Sequence, residues 1–298
     1  MSNNVEAPLS DAGVQPYLAE LGLSGLIDLH VHFMPDRVQQ KVWSFFDHVG
    51  HDGGPAWPIN YRYDDDERVR ILRDIGVTSY TTLNYAHRPG MAQWLNEYSA
   101  QFASTHDDAI HSGTFYPEPD VESVVRESLD SGARIFKIHI QVGGFSALDP
   151  YVNPAWGMVA EAGAPVVIHC GHGPHQGKYT GVGPIRELVK RHPDLILIIA
   201  HAGLPEYDEF AELALRNPNV YLDTTMVGTS FMERIAPSPA DYGKTLAALD
   251  GKIVLGTDFP SIPYSYSHQI EVLYQWDLGE EWMRNLLWET PRRLVGIR

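Results

Sequence analysis

The chain has 298 residues, 44% hydrophobic and 20% charged, which suits a soluble globular fold with a large core and no need of disulfide staples. A formal net charge of −16 with no evident basic stripe argues against a nucleic-acid partner, and the longest strongly apolar run, 195–200, is far too short to span a bilayer. Cys170 is the only cysteine, so no intramolecular disulfide forms; the opening M-S-N-N-V-E-A-P-L-S-D has no signal-peptide pattern, and a cytoplasmic location is the default expectation.

Residues 1–24 read as an N-terminal extension with one short helix around 14–21. A rhythm then begins. Apolar, β-rich runs fall at 26–31, 77–83, 110–116, 134–140, 165–169, 195–200, 219–223 and 252–257. Helical patterns lie between them at 65–74, 91–104, 119–130, 154–161, 184–191, 205–216 and 241–249, several with Pro, Asp or Asn near their start. Strands alternating with helices imply parallel pairing through right-handed crossovers. The expected fold class is α/β, a single-domain (β/α)8 TIM barrel over 25–298, a length close to the ~250 residues typical of that closure. A doubly wound open sheet is the alternative, but no G-x-G-x-x-G opens a helix after the first strand. The rhythm breaks at 33–63, a long insertion after strand one that carries Trp43, Phe45, Phe46, Trp57, Tyr61 and Tyr63, with Gly53-Gly54-Pro55 in its middle. A lid, a subunit contact and extra packing against the barrel are all compatible with it.

Chemistry concentrates at strand ends. In L-I-D-L-H-V-H-F-M-P, His30 and His32 are two apart, and such residues share one face of a strand. Packing gains little from paired imidazoles, whereas a divalent metal is well served by them. Barrel enzymes draw catalytic residues from the C-terminal ends of several strands. There the chain offers Lys137 and His139 on strand four, His169 on five, His201 on six and Asp258 on eight. His30, His32, His169 and Asp258 form a three-nitrogen, one-oxygen ligand set suited to one catalytic Zn²⁺, with Mn²⁺ and Fe²⁺ as alternatives. His201 is then the expected acid, base or carbonyl polariser, and Asp258 both a ligand and a proton acceptor.

The pieces D-L-H-V-H-F-M-P, F-K-I-H-I, V-V-I-H-C-G, L-I-I-A-H-A-G-L-P and V-L-G-T-D-F-P resemble the amidohydrolase superfamily, and within it the amidohydrolase-2 group that includes aminocarboxymuconate-semialdehyde decarboxylase. The resemblance covers about residues 26–298. It implies a (β/α)8 barrel, one divalent metal on His30, His32, His169 and Asp258, and a catalytic His201. In two-metal members a strand-four lysine is carboxylated and bridges the metals; the amidohydrolase-2 group implies a single metal, with Lys137 a paired inner cation or a substrate contact and a carboxylated, bridging Lys137 as the alternative.

His139 shares a face with Lys137, and His172 and His175 follow His169 in a glycine-rich loop, so all three are candidate pocket-lining groups beside Lys137. Arg88 is a candidate carboxylate clamp. Cys170 should point away from the site. Asp223 and Thr225, at the end of strand seven, are expected to support the centre by hydrogen bonds. The expected function is metal-dependent hydrolysis of an amide, ester or lactone of a small molecule. The alternative is a non-oxidative decarboxylase, or a hydratase, acting on an unsaturated or aromatic carboxylic acid. Aromatics in the insertion, with Trp276, Trp282 and Trp288, fit either a homodimer or internal packing.

Overall fold

A computed structural model of the chain describes residues 6–51 and 53–297; residues 1–5 of the expected extension, Asp52 in the insertion and Arg298 lie outside the described residues. The apolar runs are short parallel strands. In chain order they are β1 Leu26–Asp28, β2 Val77–Thr81, β3 Ala109–Ile110, β4 Ser112–Gly113, β5 Ile135–His139, β6 Val166–His169, β7 Leu197–Ile199, β8 Val220–Asp223 and β9 Ile253–Val254. Pairing follows sequence order, β1-β2-β3 in one sheet and β4 to β9 in the other. β3 and β4 are halves of one stave, parted at His111, whose carbonyl still accepts from Arg134 N at 3.0 Å. The last stave returns to the first: Leu29 N donates to Leu255 O at 3.1 Å, Asp258 N to His30 O at 2.8 Å, and Val31 bridges Phe259 in parallel. This is the expected barrel.

The local signals explain the boundaries. Asp64 caps the Asp65–Ile75 helix by accepting from Glu67 N at 2.9 Å, and Gly76, at φ 102°, ends it in the left-handed conformation before the chain enters β2. Two cores result. The larger lies between strands and helices. The smaller fills the barrel interior, where Ile27, Leu29, Leu83, Ile110, Ile135, Val167, Ile198 and Val254 meet Val295 from the C-terminal end.

The two expected appendages are both packed onto the barrel. The N-terminal helix runs Val14–Glu20 with Val14, Tyr17 and Leu18 buried. The stretch 33–63 is not a loop throughout: it holds a 13-residue helix, Asp36–His48, with Trp43 buried. The rest folds across the loop after β9, where Trp57 Nε1 donates to Ser261 O at 2.7 Å and Asn60 N to Ile262 O at 2.9 Å. Among the described residues no helix is long and apolar enough to cross a membrane.

Candidate metal centre

Side chains two apart on a strand share a face, so the inward row turns from apolar to polar as each strand rises. Ile135 and Val167 belong to the interior core; two residues on come Lys137 and His169, both buried. On the first stave regular pairing stops at Asp28, and His30 and His32 lie beyond it. Their rings nevertheless converge, with centroids 5.2 Å apart, because the Val31–Phe259 bridge and the His32 N to Phe259 O bond (2.8 Å) hold the segment against the last stave.

That last stave supplies Asp258. One ligand atom from each of His30, His32 and Asp258 lies within 4.8 Å of the other two. His32 Nε2 is 2.9 Å from Asp258 Oδ1, and His30 Nε2 is 3.6 Å from it. The opposite ring nitrogens are engaged behind the site: His30 Nδ1 meets Asp223 Oδ2 at 2.8 Å, and His32 Nδ1 donates to Leu83 O at 2.9 Å. A carbonyl can only accept, so Nδ1 of His32 carries the proton and Nε2 keeps its lone pair inward. This is the outer arrangement metal-bound imidazoles need, and the donor set fits a divalent ion.

Asp223 does more than orient one ring. Its Oδ1 accepts from the backbone of His201 (2.7 Å) and of Thr225 (3.0 Å). The first of these holds His201 at φ 54°; Asp258 stands at φ 69°, held by its own bond to His30 O. Non-glycine residues at positive φ are strained, and here both stand at the candidate site. Gly256 makes room for the arrangement, since a Cβ there would lie 2.3 Å from Thr225 Oγ1 and 2.8 Å from His30 Cβ.

Burial dominates the electrostatics. It lowers His30 and His201 to about 4 and His169 to about 3, with Lys137 adding to each shift, so all three imidazoles are neutral near pH 7. Burial pushes Asp223 up, but His30, His201 and Lys137 bring it down to about 2. Asp258 is likewise opposed by burial yet held well below the carboxylate range by His32, His30 and His201. Burial brings Lys137 down to about 8 against the pull of Asp223 and Asp258.

The other expected residues divide into two groups. Lys137 Nζ donates to His30 Nε2 at 2.8 Å, so its ammonium sits on the lone pair a metal would take. His139 and His169 stack at 4.0 Å and 15°, and His169 and His201 lie 4.8 Å apart by centroid. His169 stands beside the group of three: its Nε2 donates to Gly173 O at 3.0 Å, leaving Nδ1 free. His201 Nδ1 donates to Thr225 O at 3.2 Å, leaving Nε2 free. Tyr85 closes the wall, its ring 5.0 Å from His139 and 6.0 Å from His32. His172 instead latches the loop after β6, meeting Glu206 Oε1 at 3.0 Å and Thr180 Oγ1 at 2.6 Å. His175 and Arg88 are exposed and touch none of these groups among the described residues. Cys170 is fully buried, and burial raises its thiol well above the usual range.

Two carboxylates were not read from the sequence. Asp28 is fully buried and binds Thr257 Oγ1 (2.6 Å), Tyr266 Oη (2.9 Å) and His30 N (3.0 Å). It stands inside the quoted D-L-H-V-H, so a signal was present. Glu206 carried none, because its partner His172 comes from another loop.

An α/β barrel whose strand ends gather histidines and a carboxylate into a set that could hold a divalent metal is the arrangement expected of a TIM-barrel amidohydrolase. Residues 27–297 match the amidohydrolase-2 family, described as amidohydrolases, and the chain belongs to that family. No curated protein matches the sequence. Among solved structures the chain is similar to an uncharacterised TIM-barrel protein from Bordetella bronchiseptica (TM-score 0.72, 18% identity, 91% of this chain and 98% of that one). It is also similar to a protein named amidohydrolase II (TM-score 0.64, 19% identity, 91% and 100%). A third is a probable 2-pyrone-4,6-dicarboxylic acid hydrolase from Acinetobacter baumannii with citric acid bound (TM-score 0.58, 15% identity, 92% and 100%).

Proposed function

We propose that the protein is a metal-dependent hydrolase acting on an amide, ester or lactone of a small molecule. The observation that carries this reading is the approach of His30, His32 and Asp258 to within 4.8 Å, with the free Nε2 of His201 beside them. These three residues, with His169 as the fourth, would hold one divalent ion, zinc before manganese or iron. When bound, the ion supplies Lewis acidity toward water and a carbonyl oxygen.

The chain's own groups have separable tasks. Asp258, ionised and 17% exposed by side chain, faces the site and accepts a proton from water. His201, its Nδ1–H committed to Thr225, takes up or returns a proton at Nε2. Lys137 offers a fixed cation to the developing oxyanion, and His139, whose Nδ1 accepts from Val142 N at 3.3 Å, presents an Nε2–H donor on the same wall. The reading takes 25–298 as one barrel domain behind the 1–24 extension, with a small molecule as its only required partner.

One observation favours the decarboxylase alternative: Lys137 is a buried cation next to the centre, where a substrate carboxylate would find it. Against it, no arginine among the described residues hydrogen-bonds to the cluster, and Arg88 is exposed. Elemental analysis followed by a turnover screen of esters, lactones, amides and unsaturated carboxylic acids decides. We expect about one metal per chain and hydrolytic turnover; carbon dioxide release from the acids, with no hydrolysis, would overturn the hydrolase assignment.

A further inference from the structure

The helix after β9, Tyr266–Gln275, is capped from outside. Its own N-cap residue, Ser265, makes no side-chain cap bond. The first helical amides find partners elsewhere instead: Tyr266 N donates to Tyr61 Oη at 2.6 Å, and Ser267 N donates to Asp11 Oδ1 at 2.9 Å. Tyr61 Oη in turn donates to Asp11 Oδ2 at 2.5 Å, so one carboxylate and one phenol serve the helix start together. Asp11 belongs to the N-terminal extension and Tyr61 to the insertion after β1. Asp11 also lies outside residues 27–297, the part that matches the family. An anion at a helix N-terminus is favoured by both the unpaired amides and the helix dipole.

This cap reaches the metal centre by a short covalent and hydrogen-bonded route. The capped Tyr266 sends its hydroxyl to Asp28 Oδ2 at 2.9 Å. The same oxygen accepts from Thr257 Oγ1 at 2.6 Å, one residue before Asp258, and Asp28 Oδ1 accepts from His30 N at 3.0 Å. Asp28 thus holds the His30 backbone on the first stave and the Thr257 hydroxyl on the last. Tyr266 and Thr257 are fully buried and Tyr61 nearly so, which keeps water from replacing these partners. Asp258 sits at φ 69° with only Phe259 to Ser265 between it and the capped helix. Where that helix begins therefore fixes one end of a strained loop.

We infer that Asp11 and Tyr61 are positioning residues for the metal centre, so that the N-terminal extension is a working part of the site and not an appendage. The inference rests on the metal reading above. The test measures Zn²⁺ affinity of the full chain by competition with a chromophoric chelator, far below the unfolding temperature, alongside thermal stability. Variants are Asp11→Asn, Tyr61→Phe and the pair. Leu18→Ala, a buried position in the same extension, controls for general destabilisation.

Each single variant should weaken Zn²⁺ by about threefold to tenfold, less than the ~10–100-fold typical of groups that bond a ligand directly. The pair should fall short of the product, since both residues act on one helix start. Leu18→Ala should lower stability and leave affinity within twofold. Wild-type binding of one Zn²⁺ with unchanged affinity in both variants overturns this inference alone; so does an equal loss in Leu18→Ala. A wild type that binds none of Zn²⁺, Mn²⁺ or Fe²⁺ overturns the metal reading and this inference with it.

Discussion

The two walls of the centre are built differently. On the β1, β7, β8 and β9 side the imidazoles of His30 and His32 are fixed from behind, His30 by Asp223 and His32 by the Leu83 carbonyl, and the strained His201 and Asp258 are held through their backbone amides. On the β5 and β6 side His139 and His169 are held by stacking on each other, by Tyr85, and by one bond from His169 to Gly173 in a glycine-rich loop. The first wall is preorganised, as a ligand set must be. The second is held by ring faces and a loop, which tolerate small shifts, as a substrate-facing wall can. On the proposed reading the first wall carries three of the four ligands and the second, His169 apart, the substrate contacts, and substitutions can break that division.

The largest effect is expected on the first wall. His30→Ala and Asp258→Ala should each abolish bound metal by elemental analysis and bring turnover to background, while His175→Ala, at an exposed loop position, should leave both unchanged. Lys137→Met comes next. Lys137 and a metal compete for His30 Nε2, so as a substrate-side cation it should leave stoichiometry at about one per chain and cost turnover about a hundredfold. A wild type with two metals that loses one in this variant would make Lys137 a ligand and dissolve the contrast. Asp223→Asn should weaken metal about 10–100-fold in a chelator competition, because His30 loses the acceptor that sets its tautomer. An unchanged affinity would mean that the first wall owes nothing to its outer bonds.

Much of this architecture was legible because the signals were local. The alternation of strand and helix fixes the barrel, and period-two spacing explains why Ile135 leads to Lys137 and Val167 to His169 on one inward row. Asp223 and Thr225 were also legible as supports, from their place at a strand end. The helix Asp36–His48 was obscured because the stretch reads by its length as one long insertion, although Val38, Val42, Trp43 and Phe46 repeat at helical spacing. The latch between His172 and Glu206 and the cap from Asp11 and Tyr61 were not legible at all. Each joins residues far apart in sequence, and no local pattern marks such a partner.

The smallest effect lies outside the site, at the seam where the two sheets part. His111 is buried between Ser99 Oγ (2.9 Å) and Ser131 Oγ (3.1 Å), and burial lowers its pKa to about 4 against a bond to the Ser128 backbone. The unfolded chain titrates this group near its ordinary value of 6.5. Between those values the unfolded state binds a proton that the folded state refuses, so the contribution is complete above pH 6.5 and is lost as pH falls toward 4. The loss is at most about 3 kcal/mol. Urea midpoints for wild type and His111→Gln at pH 7.5 and 4.5 isolate it, because the centre's own histidines contribute alike to both chains and cancel. Wild type should lead at pH 7.5, and the gap should shrink at pH 4.5. A constant gap would mean that His111 protonates equally in both states, and that the seam admits water to its ring.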